Sequence, residues 1–345
     1  MQKFKTSVSS LVISVALAAC GGGGGGSAET PATTTPPVVV PPVVVTPADL
    51  QTSVPTFTYT FGSPELAFVS SLNTFRQKIG LGLLAQNVYL DKSARNHLDY
   101  VLANDARFGG TVDMLSFDAA TGRPMFHVEQ GGKPKFTGVL ESDRAKFAGY
   151  TGAYVGEELA FGGNKGGEVA LESLVGTVYH RAGLMFQGLR DVGVAVGTDQ
   201  SQTFTLEFGY QAPQSNSGDF VGIYPVDGQT NVGLFTRVET PNPFPDLSTA
   251  NADFPTKTGY PVTVVVKEGV ALEVTGFTIT ENGAAAPLDA RLMTSANDPN
   301  RLLTKNVAYL VAKSTLKPGT TYSVAFSGRA NNTVLNKSWK FTTAQ

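Results

Sequence analysis

The sequence has very little of several residue types on which common kinds of site depend. Its 345 residues include one cysteine, Cys20, one tryptophan and three histidines. A single cysteine excludes internal disulfides and cysteine-based metal cages, so packed apolar cores must supply the stability. Charged residues make up only 16% of the chain and the net charge is −2. This excludes the strongly basic surface typical of nucleic-acid-binding proteins, and we expect no nucleic-acid partner.

The first residues have the layout of an export signal. Two lysines give a basic start, an apolar core runs from Leu11 to Leu17, and small residues precede Cys20. This pattern predicts a signal peptide over residues 1–19. A membrane-spanning helix needs about 20 apolar residues, and this run is shorter and ends in six glycines. We therefore expect it to be removed rather than to remain as a membrane span.

Leu17-Ala18-Ala19-Cys20 resembles the lipobox of bacterial lipoproteins. The resemblance implies that Cys20 becomes the lipidated first residue of the mature chain, with the membrane as its partner. Several acyl chains together give stable attachment, at about 0.8 kcal/mol per buried methylene. The expected location is therefore the cell envelope, at the outer membrane or cell surface. Residues 20–55, rich in glycine and then in proline and valine, predict an extended linker that holds the rest of the chain off the membrane.

Residues 56–213 predict a domain of mixed α and β structure. Ser63-Pro64-Glu65 is typical of a helix start, and Gly80 follows the last apolar position of the same helical stripe. The further elements predicted in this part are a helix that begins at Leu90-Asp91, helical stretches over Asp143–Phe147 and Glu168–Met185, and a hairpin of strands Val192–Val196 and Thr203–Phe208.

After a polar break at Pro213–Gly218, the helical pattern gives way to short alternating runs separated by turns. Such runs at this spacing predict an antiparallel sandwich over residues 218–345. Leu316-Lys317-Pro318-Gly319-Thr320-Thr321-Tyr322 and Trp339-Lys340-Phe341-Thr342-Thr343 resemble segments of bacterial Ig-like modules of surface proteins. The change of pattern at the break predicts two independently folding units.

The three histidines, His97, His127 and His180, all lie in the first of these domains. The motifs around them are Asn73-Thr74-Phe75-Arg76, Ala94 to His97, Phe126-His127, Gly149-Tyr150, Gly156-Glu157-Glu158-Leu159-Ala160, Tyr179-His180-Arg181 and Val192-Gly193-Val194-Ala195-Val196 followed by Phe208-Gly209. In this order the motifs resemble the CAP superfamily, also called the SCP-like or antigen-5/pathogenesis-related-1 family. The fold class that follows is α+β, a CAP-type α-β-α sandwich followed by an all-β Ig-like sandwich.

The CAP resemblance implies an open groove into which two histidines and one or two glutamates point. Carried over to this sequence, the groove residues are His127, Glu157 and His180. The sequence departs from the family pattern, because Glu158 replaces an asparagine, Leu174 replaces a tryptophan and Val178-Tyr179 replaces Pro-Gly. The second glutamate has no clear counterpart, since Thr177 lies near its place and Glu172 one turn earlier.

Three interpretations of His127, Glu157 and His180 follow from their chemistry. They are suitable ligands for a divalent metal such as zinc, suitable groups for general acid/base work, or members of a hydrogen-bonded polar knot that fixes the groove. His97 lies at the edge of the apolar face of its helix, which predicts a satisfied histidine near the surface.

No catalytic residue is assigned from the sequence, because G-x-S-x-G, H-E-x-x-H and P-loop motifs are missing. We expect a surface-tethered, extracytoplasmic binding or interaction protein whose groove takes a divalent metal or a lipid or other small apolar ligand. The alternative is an envelope hydrolase acting on peptide or cell-wall material.

Overall fold

The computed structural model describes residues 49–163, 165–199, 202–248 and 253–345. Cys20, the predicted signal peptide and most of the predicted linker lie outside these residues. No helix in the described ranges is both long enough and apolar enough to cross a membrane. The described residues have the mixed α+β character expected from the sequence.

The first part of the chain is built around one four-stranded sheet with the strand order β1-β3-β4-β2. Strands β3 and β4 form the predicted hairpin, and β2 pairs antiparallel with β4. The elements are α1 (Pro64–Ile79), β1 (Ala85–Gln86), α2 (Val88–Asn104), α3 (Glu141–Ala148), β2 (Tyr154–Phe161), α4 (Gly167–Val175), α5 (Tyr179–Leu184), β3 (Asp191–Val196) and β4 (Thr203–Tyr210), with short 3₁₀ helices at Ala106–Phe108 and Met125–His127.

Helix α1 begins and ends where the sequence predicts. The Ser63 side chain accepts a hydrogen bond from the backbone N–H of Leu66, and proline occupies the first turn. Gly80 ends the helix at φ 87°, a left-handed conformation that glycine adopts without steric cost. The predicted apolar stripe is buried from Phe68 to Ile79.

Helices cover both faces of this sheet. Successive residues of a strand point to opposite faces, so neighbouring residues of β3 show what packs on each face. Val194 of strand β3 lies in the same apolar core as Phe68 of α1. Its neighbour Ala195 packs with Ala94 and Leu98 of α2 on the other face. Helices α1 and α4 therefore lie on one face and α2 and α3 on the other, which gives a three-layer α-β-α arrangement.

The second part of the chain consists of two four-stranded sheets with the orders β5-β7-β10-β9 and β6-β12-β11-β8. Most strand pairs are antiparallel, and the exception is β6 with β12. The elements are β5 (Val221–Tyr224), β6 (Gln229–Val232), α6 (Phe254–Lys257), β7 (Val262–Val266), β8 (Leu272–Glu281), β9 (Ala290–Thr294), β10 (Val307–Ala312), β11 (Thr321–Ala330) and β12 (Thr333–Thr343). Side chains of both sheets share one apolar core, as expected of a β-sandwich.

The same apolar core continues across the polar break at residues 213–218. It contains Leu206 of β4 together with Val264 of β7 and Tyr309 of β10. The described residues after the break therefore pack on those before it within one compact unit. Independent folding of the two parts stays a prediction.

One predicted element divides in two. The helical stretch expected over Glu168–Met185 is interrupted between Val175 and Tyr179. The interruption leaves the backbone N–H groups at the start of α5 without acceptors in the preceding helix. The carboxylate of Glu239, from later in the chain, accepts their hydrogen bonds.

Candidate functional site

The three residues carried over from the family resemblance line one cleft. His127 comes from the 3₁₀ helix Met125–His127, Glu157 from strand β2 and His180 from helix α5. The cleft has a volume of about 370 Å³. Its other walls include residues from both parts of the chain, among them Arg123, Glu158, Tyr179, Thr240, Asn300 and Leu302.

Glu157 holds His127 at the mouth of the cleft. Its Oε1 lies 2.9 Å from His127 Nδ1, and its Oε2 accepts a 2.5 Å hydrogen bond from Arg144 Nη2. The side chains of Glu157 and Arg144 are almost completely buried, whereas that of His127 is 21% exposed. Glu157 therefore orients the imidazole while Arg144 neutralises the carboxylate, and the Nε2 edge of His127 is available to a ligand.

A buried polar cluster lies behind Glu157, on the face of the sheet that packs against α2 and α3. Arg144 Nε is 3.9 Å from a carboxylate oxygen of Glu129 and 3.9 Å from one of Glu207. The Ser93 hydroxyl donates a 3.2 Å hydrogen bond to Glu207. Together these contacts form a buried polar cluster that does not include His180, so the polar knot of His127, Glu157 and His180 stays a prediction.

His97 belongs to this buried cluster. It is completely buried, and its Nδ1 lies 3.0 Å from Glu129 Oε1 while its Nε2 lies 2.7 Å from the Phe126 carbonyl oxygen. The expectation that His97 is hydrogen-bonded is confirmed, but the expectation of a position near the surface is wrong. The reason is that α3 and the 3₁₀ turn at His127 cover α2 on this side, which the pattern of α2 alone does not indicate.

The environment of the cluster separates the proton affinities of its carboxyl groups. Burial by itself would raise the pKa of Glu157, but Arg144, together with the two histidines beside it, holds that pKa well below its usual range. Burial, and after it the negative charge of Glu157, raises the pKa of Glu207 well above its usual value. Glu157 is therefore the charged partner of Arg144, and Glu207 beside it has the higher affinity for a proton.

His180 is held by a residue that sequence reasoning missed. Its Nδ1 lies 3.1 Å from Oε2 of Glu239, which comes from the segment between β6 and α6. Its Nε2 lies 3.7 Å from Oε2 of Glu158. Glu157 and Glu158 are successive strand residues, so they face opposite sides of the edge strand β2, and each serves a different histidine. His127 and Glu157 are thus in direct contact, while His180 lines the same cleft with its own two carboxylates.

Both titratable groups beside the cleft at this end have raised pKa values. Burial raises the pKa of Glu158 to about 8, and the neighbouring His180 opposes this increase. Burial lowers the pKa of His180, but Glu158 and Glu239 outweigh it and raise the pKa to about 9. At neutral pH, His180 is therefore an imidazolium ion.

Several donor atoms of this site already have partners: each oxygen of Glu157 binds His127 or Arg144, and Nδ1 of His180 is taken by Glu239. The Nε2 atoms of the two histidines are the nitrogens left for a ligand. Within the described ranges, no group of three or more His, Cys, Asp or Glu side chains is placed to hold a metal ion. The zinc site expected from the sequence stays a prediction.

An apolar groove of about 580 Å³ adjoins the cleft. The cleft and the groove share four lining residues, Pro124, His127, His180 and Thr240. Several large apolar side chains of the groove are exposed to solvent: Leu115 is 61% exposed, Phe161 38% and Val238 50%. The other apolar walls of the groove include Phe126, Leu159, Leu174, Phe235 and Phe254.

Comparison with known proteins gives a similarity to solved structures. No family model matches the chain, and no curated protein matches it. Among solved structures, an outer surface protein from Borrelia burgdorferi is similar, with a TM-score of 0.32 and 16% sequence identity. The matched region covers 44% of this chain and 96% of that one.

Proposed function

We propose that this chain is a surface-tethered, extracytoplasmic binding protein of the CAP superfamily, with an Ig-like second part, and that it binds a single-chain amphiphile such as a fatty acid. The observation that carries the proposal is the continuity of the polar cleft with the apolar groove through His127 and His180. A ligand with its polar head at the two histidines and its hydrocarbon chain along the groove would occupy both the cleft and the groove.

The exposed side chains of the groove support an apolar ligand. Exposed apolar residues scattered singly are normal, but a contiguous group beside a polar site is typical of a binding surface. Leu115, Phe161 and Val238 lie along one groove from three separate segments. Covering them with a hydrocarbon chain would contribute about 25 cal/mol per Å² of apolar surface removed from water.

The hydrolase alternative receives less support from the cleft. His127 with Glu157 has the geometry of an oriented general base. In the described part of the chain, however, the one hydroxyl within hydrogen-bond reach of either cleft histidine is that of Thr177, which is buried and already donates to the Leu174 carbonyl oxygen. A binding role needs no nucleophile, and His127 and His180 can contact a ligand without one.

The proposed location rests on the N-terminal sequence. The lipobox-like run before Cys20 supports lipid attachment at that residue, and the glycine and proline-rich residues 20–55 support a tether. A lipid-anchored protein with an apolar groove is suited to taking up an amphiphile close to the membrane that holds it.

The proposal is tested by titrating cis-parinaric acid, a fluorescent fatty acid, into the soluble chain that begins after Cys20. We expect saturable fluorescence enhancement, and Val238→Asp should weaken it about tenfold because a carboxylate would face the hydrocarbon chain. Val334→Asp is the matched control: Val334 is 59% exposed on β12 and lines neither the cleft nor the groove. Absence of binding, or equal binding by the two variants, would refute the proposal.

A further inference from the structure

The segment between β6 and α6 is fixed to the first part of the chain beside the cleft. Arg237 N–H donates a 2.9 Å hydrogen bond to the Gly176 carbonyl oxygen, in the gap between α4 and α5. One residue earlier, the Thr236 hydroxyl donates to the Gly259 carbonyl oxygen at 2.7 Å. With the segment held in this way, the side chain of Glu239 is directed at the start of α5. Glu239 is only 4% exposed.

Glu239 makes four contacts with α5 and the residue before it. Its carboxylate accepts hydrogen bonds from the backbone N–H groups of Val178, Tyr179 and His180 at 2.7, 2.8 and 3.2 Å. The fourth contact is with His180 Nδ1 at 3.1 Å. Among the described residues, His180 is the basic side chain that lies within 4 Å of the Glu239 carboxylate. The side chain thus both caps the helix and fixes the ring of a cleft residue.

We propose that Glu239 is a positioning residue of the cleft, and that it makes His180 a cationic hydrogen-bond donor selective for ligands with an anionic head. This inference rests on the proposed function and specifies, in addition, that the head of the ligand is negatively charged. It also means that the site is complete only when the second part of the chain is in place.

The geometry gives the reason for anion selectivity. Because Glu239 takes the proton on Nδ1, the Nε2–H of the charged ring is directed toward the cleft and Glu158. Glu158, the other carboxylate that raises the pKa of His180, lies 3.7 Å from this Nε2. Glu157 is neutralised by Arg144 at 2.5 Å. An anionic head entering the cleft therefore meets the Nε2–H of His180, whose charge Glu239 balances from the opposite side of the ring.

The titration of His180 tests the positioning role without any ligand. The full chain contains three histidines, so the ring C–H signals can be assigned by nuclear magnetic resonance with one variant each. In the unaltered protein we expect the pKa of His180 near the value of about 9 that its surroundings give. In Glu239→Gln it should fall, because one of the two carboxylates that raise it is lost, while Glu158 continues to raise it. Glu239→Asp, which keeps the charge, should keep most of the increase.

Binding measurements test the selectivity. The unaltered protein should bind cis-parinaric acid more tightly than the corresponding alcohol, parinaryl alcohol, and Glu239→Gln should reduce that preference about tenfold. Glu172→Gln is the matched control, since the partly buried carboxylate of Glu172 also bonds across the same boundary, accepting a 3.0 Å hydrogen bond from the Tyr260 hydroxyl, but does not line the cleft. This control should keep the preference.

The outcomes separate the two proposals. If the pKa of His180 is the same in Glu239→Gln and Glu239→Asp as in the unaltered chain, the positioning role of Glu239 is overturned, whatever the protein binds. If the pKa falls as expected but acid and alcohol bind equally, anion selectivity is overturned. If neither compound binds the unaltered protein, the amphiphile proposal fails while the histidine titration still decides the role of Glu239.

Discussion

Arg181 of helix α5 donates a 2.9 Å hydrogen bond to the hydroxyl of Thr263 on strand β7, across the polar break that divides the sequence pattern. The same guanidinium group also donates to the Pro261 carbonyl oxygen and lies over the rings of Tyr224 and Tyr260. Arg181 is completely buried, so these contacts replace part of the water that its charge would otherwise bind.

Removing the second part of the chain should therefore destabilise the first. A fragment of residues 56–213 leaves Arg181 without its acceptors at Pro261 and Thr263, and hydrogen bonds to charged groups contribute about 1.5–3 kcal/mol each. We expect the fragment to have a lower thermal unfolding midpoint than the longer chain of residues 56–345. A cooperative transition in the fragment would confirm that the first part folds independently; an equal midpoint would show that the boundary contributes nothing.

The sequence predicts best those elements whose signals are local. Helix α1 has its cap at Ser63, its apolar stripe and its terminating glycine within one run of residues, so its bounds follow closely from the sequence. Strand β2 is not predicted as a strand, because its residues depart from strict alternation at Glu157-Glu158. Its place in the sheet comes from pairing with β4, about fifty residues later, and that is a non-local property.

The site shows the same division between local and distant information. His127, Glu157 and His180 stand in recognisable local motifs, and the structure places all three at one cleft. Glu239 stands in a segment without any motif of its own, and what matters is its distance from the start of α5 after folding. The one local signal is the interruption of helical residues near Gly176, which leaves N–H groups that require an acceptor.

Arg144→Met should destabilise the protein strongly. The substitution leaves Glu157 charged and buried, with Glu129 and Glu207 close by, and breaking a buried ion pair from one side costs about 3–5 kcal/mol. Arg95→Met provides the control, because Arg95 makes an exposed ion pair with Asp99 at 4.0 Å, and such pairs contribute at most about 1 kcal/mol. Urea unfolding at neutral pH measures both variants, and similar losses would contradict a special role for the buried pair.

Gly193→Ala should also destabilise the fold, through the contact between β3 and α2. A Cβ atom at this position would lie 2.1 Å from the carbonyl carbon of Leu90 and 2.1 Å from the nitrogen of Asp91. Both are backbone atoms, so the helix must move, and overpacking of this kind costs about 1–3 kcal/mol or more. Gly276→Ala in strand β8 is the comparison, since its Cβ would approach Ser327 no closer than 3.8 Å. Thermal unfolding of the two variants should differ clearly.

Cys20→Ser should release the protein from the membrane fraction or leave it unprocessed. The reason is that Cys20 is the one thiol in the chain and follows the lipobox-like run Leu17-Ala18-Ala19. The measurement is cell fractionation combined with metabolic labelling by a radioactive fatty acid. Labelling and membrane retention equal to those of the unaltered protein would show that another feature anchors the chain.

The stability of the protein should decrease as the pH rises from about 6.5 to about 9. The pKa of His180 is about 9 in the folded protein against 6.5 for an ordinary histidine, and that of Glu158 is about 8 against 4.5 for an ordinary glutamate. A group with a higher pKa in the folded state binds more protons there than in the unfolded chain over the interval between the two values. The free energy of unfolding therefore falls as the pH rises through that interval.

The Glu158 contribution is lost between about pH 4.5 and pH 8, and the His180 contribution between about pH 6.5 and pH 9, so the two losses overlap near neutrality. Glu239→Gln removes the carboxylate that favours the charged form of His180, so the decrease between neutral pH and pH 9 should become shallower. Urea unfolding of both proteins across this range provides the measurement. A free energy of unfolding that is flat or rising toward pH 9 in the unaltered protein would mean that neither group keeps its proton in the folded cleft.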